Sequence, residues 1–162
     1  MDGNRTLKTW TTSVVLLFFW PLLIAQSIAA DLTSRIVSRV IDGDTLVLDT
    51  GEKIRLAGIS SPVLARENCP VEPLANEAKS TPEGLLVDGR AQVEVAQEAK
   101  DRYGRTLAYL FTLDGQSVQR QLLLDGLASV VGILPNGRYL MEYIAAEEKP
   151  RKLRRVIWSL SF

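Results

Sequence analysis

Residues 39–62, RVIDGDTLVLDTGEKIRLAGISSP, constrain this chain more than any other stretch. Three short runs of alternating apolar and polar residues stand here with almost nothing between them. Val40 and Ile41 lead into Asp42-Gly43, Thr45 to Leu48 alternate, and Gly51 precedes a third run from Ile54 to Ile59. An Asp-Gly pair between β-branched runs is a strong short-range hairpin signal. A second turn, Asp49-Thr50-Gly51, then leads into the third run, so the stretch predicts a three-stranded antiparallel meander. The charges within it also matter. Asp42 and Asp44 flank the turn glycine, a placement that suits a hard cation, and Arg55 sits mid-strand, where a guanidinium suits a phosphate. The plainer alternative is that Asp42 only shapes the turn and Asp44 is solvated at the strand start.

The first thirty residues read as a segment outside the fold. Arg5 and Lys8 precede an apolar run from Val14 to Ala25, and Ser27-Ile28-Ala29-Ala30 offers small residues for cleavage before Asp31. That layout predicts a secretory signal peptide over residues 1–30 and a single domain over 31–162, exported to the periplasm or the extracellular space. Because the run is short for a span, no stable membrane insertion is expected after cleavage. An uncleaved, membrane-tethering N-terminus is the alternative. Removing 30 of the 162 residues leaves 132, enough for one core and an expected monomer. Taking Arg5 and Lys8 from the 19 basic residues and Asp2 from the 19 acidic ones leaves a net charge of −1. Bulk charge therefore excludes a generally basic polyanion binder, and any phosphate affinity must be local. Cys69 is the only cysteine, so no internal disulfide forms, and the absence of histidine excludes imidazole acid–base and metal chemistry within the chain.

After Pro62 the periodicity stops, and residues 63–73 read as an exposed loop. Leu74 to Leu86 predicts a helix with Ala75, Ala78, Leu85 and Leu86 on its apolar side. Pro82 in its middle predicts a break there, with Thr81 capping a restart. Ala91 to Glu98 predicts a strand with Val93 and Val95 on one side. The segment Lys100 to Arg105 leads into a further strand, Thr106 to Thr112. Ser117 caps a short helix to Asp125, Ala128 to Ile133 suggests a short strand, and Arg138 to Glu148 predicts a last helix with Leu140, Met141, Ile144 and Ala145 inward, interrupted by Pro150. The cluster Lys149, Arg151, Lys152, Arg154 and Arg155 reads as a solvated face, with a phosphate-facing role as the alternative.

Five strands with a helix between the third and fourth is the order of an α+β fold, an OB-type five-stranded β-barrel with about three helices. At this point the residues resemble the staphylococcal nuclease-like (thermonuclease) domains. The matching pieces are Ile41-Asp42-Gly43-Asp44-Thr45, Arg55-Leu56, Pro62, Glu77-Ala78-Lys79, Asp101 to Tyr109, Gly126-Leu127-Ala128 and Ile157-Trp158, in the family's order and spacing. The resemblance implies calcium-assisted hydrolysis of phosphodiesters in DNA or RNA. It implies that Arg55 and Arg105 hold the scissile phosphate, that Asp44, Asp42 and the carbonyl of Ser61 serve the metal, and that Arg102 and Tyr103 meet substrate. Two guanidiniums beside a phosphorus under attack stabilise the extra equatorial charge more than the ground state.

The departures from the family pattern fall on the chemistry. Ser60 stands where a second metal aspartate is expected, and Val63 where the glutamate that deprotonates water is expected. A positioned general base contributes about 10²–10⁴-fold in rate, on the order of 3–5 kcal/mol of barrier. Nor does the segment after Gly126-Leu127-Ala128 carry the family's base-stacking tyrosines. Two functions follow as expectations. One is an exported nuclease with a weakened calcium site and reduced activity, with Glu67 as a substitute base. The other is a catalytically inactive OB-fold module binding nucleic acid, a phosphorylated ligand or protein.

Overall fold

The computed structural model describes residues 32–64, 71–132 and 134–160. The leader, Glu67 and Cys69 lie outside the described residues. The meander forms as its turns and alternation dictate. Strands β1 (Leu32–Asp42), β2 (Thr45–Leu48) and β3 (Lys53–Leu56) pair antiparallel in sequence order, with Asp42 opposite Thr45 and Thr45 opposite Arg55. Strands β5 (Arg90–Lys100) and β6 (Thr106–Phe111) pair antiparallel with each other. A parallel β3–β6 pairing and an antiparallel β1–β5 pairing then close a five-stranded barrel. Closure leaves no free edge and lets Leu46, Ile54, Leu56 and Leu110 fill the interior. The short strands β4 (Ile59–Ser60) and β7 (Ser129–Val130) form a separate antiparallel pair beside it.

Three helices complete the α+β fold: α1 (Ala75–Leu85), α2 (Val118–Leu124) and α3 (Leu140–Lys152). Ser117 caps α2 as expected, its side chain accepting from the Arg120 amide. Neither proline breaks its helix, contrary to the sequence-based expectation. Pro82 is buried inside a continuous α1, and Pro150 inside α3. A proline ring removes one helical hydrogen bond, but here each ring also contributes apolar surface to the interior. A Cβ on Gly126 would stand 3.2 Å from that of Pro150, which shows how closely the α3 ring packs there.

Two faces also differ from expectation. Tyr143, Ala146 and Glu147 are the buried positions of α3, whereas Met141, Ile144 and Ala145 face out. Tyr143 takes the inward stripe because its ring fills the space over Gly58, 3.0 Å from where a Cβ would be. On β5, Val93 is buried but Val95 is about half exposed and Ala96 buried, although Val93 and Val95 keep one register against Leu110 and Ala108 of β6. Among the described residues, no helix is long and apolar enough to cross a membrane.

Candidate nucleic-acid cleavage site

The site is assembled around the β1–β2 turn. Gly43 permits it: a Cβ there would lie 2.7 Å from Ser61 Oγ and 2.8 Å from Ala78 Cβ. Without a side chain, the turn can press against both the segment after β4 and α1. That approach brings Asp44 to Ser61, whose amide donates to Asp44 Oδ2 at 2.8 Å. Thr45 Oγ1 donates to Asp44 Oδ1 at 3.0 Å, and the Arg55 guanidinium sits 2.9 Å from Asp44 Oδ2. Burial pushes the Asp44 carboxyl above the usual carboxylate range, although Arg55 and the Ser61 amide oppose that rise. Asp42 is equally buried and accepts the Asp44 amide at 3.2 Å.

Arg55 reaches Asp44 because β2–β3 pairing sets it opposite Thr45. Its Nη1 also donates to the Leu56 carbonyl at 3.0 Å, which fixes the direction of the guanidinium. Burial, and then the nearby charge of Arg105, works to lower the Arg55 pKa, against the pull of Asp44. Arg105 arrives from the other side on the loop before β6. Its Nε donates to Asp101 Oδ2 at 2.7 Å, and Nη1 reaches Thr45 Oγ1 at 3.5 Å. The two arginines thus converge on one carboxylate–hydroxyl pair, Asp44 and Thr45.

The loop carrying Arg105 is tightly folded. Asp101 Oδ1 accepts the amides of Tyr103 and Arg105, both at 2.9 Å, and the Asp101 amide donates to the Arg105 carbonyl at 3.0 Å. Gly104 has φ +76 with open space around it, so the left-handed backbone, rather than close packing, requires glycine there. Burial works to raise the Asp101 carboxyl, but the bonds from Arg105 and the two amides outweigh it and hold it below the ordinary value. The Arg105–Asp101 ion pair aims the Arg105 side chain.

Both guanidiniums line a cleft of about 460 Å³, together with Lys100, Arg102, Tyr103 and Val131. Tyr103 is two-thirds exposed at the rim, with Arg102 Cζ 4.8 Å and Arg105 Cζ 5.5 Å from its ring centre. It offers the cleft an aromatic face, whereas the 126–134 segment contributes the aliphatic Val131. The basic cluster at the end of α3 is elsewhere. Arg151 pairs with Glu147 at 3.4 Å and stacks on Trp158, and Lys152 pairs with Glu148, which fits a solvated face.

The segment from Ser60 to Val63 is the other half of the site. Ser60, Ser61 and Pro62 line a second recess of about 420 Å³, shared with Glu72 and Trp158. Ser61 Oγ is buried without a hydrogen-bond partner among the described residues. No group of three or more carboxylate or thiol side chains forms a metal cage among them either. Asp44, Asp42 and the carbonyl of Ser61 can supply oxygens, but the Asp44 carboxylate already receives three donors. These groups fit at best a weak, largely hydrated calcium site, short of the charge that calcium prefers.

One neighbour escapes the sequence reading. The Val63 amide donates to Glu72 Oε2 at 2.9 Å, and the Glu72 amide donates back to the Val63 carbonyl at 3.0 Å. Eight residues of aperiodic chain lie between the two, so no spacing rule could have paired them.

Residues 53–160 match the family described as "Staphylococcal nuclease homologue". The chain is 36% identical over 126 residues to the thermonuclease of Staphylococcus hyicus, covering 76% of this chain and 74% of that protein. It is 35% identical over 130 residues to endonuclease YncB of Bacillus subtilis, covering 77% of this chain and 61% of that protein. An uncharacterized endonuclease of Escherichia coli is 28% identical over 156 residues, covering 94% and 91%.

Proposed function

This chain belongs to the staphylococcal nuclease family and is nuclease-like, and we propose that it hydrolyses phosphodiester bonds of DNA or RNA after export, at a reduced rate. The convergence of Arg55 and Arg105, which both line one cleft, on the Asp44–Thr45 pair carries this reading. A phosphate in the cleft meets two guanidiniums whose directions are already fixed by Asp44, the Leu56 carbonyl and Asp101. Fixed donors cost little reorganisation as charge grows on the phosphoryl oxygens, so they stabilise the transition state selectively. Tyr103 and Arg102 at the rim offer stacking and charge to a neighbouring base and phosphate. Stacking of this kind contributes about 1–3 kcal/mol per base.

Asp44, Asp42 and the Ser61 carbonyl would hold calcium weakly. When bound, the ion would add positive charge beside the phosphate. Ser60 and Val63 account for the reduced rate, since neither can ionise as a carboxylate. The same two residues favour a second reading, an inactive barrel that binds nucleic acid, a phosphorylated ligand or protein through the arginine cleft. Cleavage of single-stranded DNA and RNA by the full chain, with calcium and with chelator, separates the two. Calcium-stimulated cleavage that Arg105→Ala abolishes is the expected result. Tight, salt-sensitive binding without any cleavage supports the second reading instead.

A further inference from the structure

We propose that Glu72 supplies the carboxylate that position 63 lacks and acts as general base toward the attacking water. The inference rests on the hydrolytic reading above. Its starting point is the reciprocal pair between Val63 and Glu72, which places a carboxylate oxygen 2.9 Å from the backbone amide of Val63. A carboxylate on the residue 63 side chain would originate one bond from that same amide's Cα, so Glu72 brings this group to the same short segment.

Asp44 is held by the amide of Ser61, and Glu72 by the amide of Val63. Two residues of chain span at most about 7 Å, so the two carboxylates flank Pro62 on neighbouring backbone donors. Glu72 also lines the recess that Ser60, Ser61 and Pro62 open to solvent, and it is itself exposed, so water has access to it. The bond from Val63 fixes the direction of the carboxylate, and a positioned acceptor is what a base needs. In the step assigned to it, the carboxylate takes a proton from water as the water oxygen bonds to phosphorus. The ester P–O bond breaks with its electron pair on the departing oxygen, which is protonated by solvent.

Glutamine at position 72 tests this directly, because its carbonyl oxygen can still accept the Val63 amide but cannot take the proton. In the full chain, Glu72→Gln is expected to lower kcat on single-stranded DNA by about 10²–10⁴-fold, with KM and thermal midpoint near wild type. Val63→Glu added to Glu72→Gln should recover activity, and formate should partly restore Glu72→Ala, which a merely structural role would not allow. Several results overturn the assignment. Wild-type kcat in Glu72→Gln does so, as does a loss confined to Glu67→Gln. An inactive wild type that Val63→Glu revives shows that the hydrolytic scaffold stands while Glu72 does not serve. If wild type and Val63→Glu are both inert, the hydrolytic reading fails, and the assignment with it.

Discussion

The two halves of the site meet at Asp44 and are built on different principles. On the cleft side, Arg55 and Arg105 stand on paired strands or their immediate ends, and each guanidinium is aimed by a carboxylate within 3 Å. On the other side, residues 60–63 leave a two-residue strand and run into irregular chain, with Glu72 held by an amide pair to Val63. The difference teaches that a charge-stabilising cleft needs the barrel's register, whereas the proton-transfer group can be delivered by any segment that reaches it. Loss of a carboxylate at position 63 therefore leaves the cleft's geometry untouched.

The largest effect that would break this comparison is expected at Arg55. Arg55→Ala should lower cleavage by about 10²–10³-fold. It should also cost about 2–4 kcal/mol of stability, because Asp44 would keep a buried charge without its cation. Urea unfolding alongside kinetics would check both, and a variant stable as wild type would show that the pair is not structural.

Gly43→Ala comes next. Its Cβ would meet Ser61 Oγ and Ala78 Cβ inside 3 Å, so about 1–3 kcal/mol is expected to be lost to overpacking. Cleavage should fall with it as the Ser61–Asp44 contact opens. Ser60→Asp sharpens the comparison from the opposite side. A second carboxylate should strengthen calcium binding about tenfold, roughly 1.4 kcal/mol, by titration calorimetry. No gain would mean that Ser60 faces away from Asp44.

The smallest effect concerns acid. Asp101 titrates below its ordinary 3.8. A depressed carboxylate contributes fully above its unfolded pKa, and the contribution disappears as pH falls through the folded value. Asp101→Asn should therefore be less stable than wild type by about 1 kcal/mol at pH 7, and the two should converge as pH falls from 7 through the depressed folded value. A constant gap across that range would remove the Arg105–Asp101 pair from the account.

Much of the arginine half was legible in the chain. The Asp-Gly and Thr-Gly turns around Thr45–Leu48 fix which residues oppose each other, and that register sets Arg55 beside Asp44. Arg105 follows Gly104 at the mouth of β6, where only a left-handed residue completes the loop. Less was legible elsewhere. Val93 and Val95 were expected on one side of their strand, but Val93 is buried and Val95 about half exposed. Met141 and Ile144 look like the apolar side of α3 until Tyr143 finds Gly58, a glycine in the turn between β3 and β4. Pro82 and Pro150 were read as helix breaks because propensity is local, yet burial of their rings outweighs one lost hydrogen bond each.

By itself, then, the sequence determined the barrel, the order of its strands and the positions of the two arginines, since strand period and turn chemistry act over only a few residues. Only the tertiary structure decided that Gly43 admits Ser61 and Ala78 to the turn, and that Glu72 docks on Val63. Those contacts join residues that no periodicity relates, and they form because closure of the barrel and packing of α1 bring their backbones within hydrogen-bonding range.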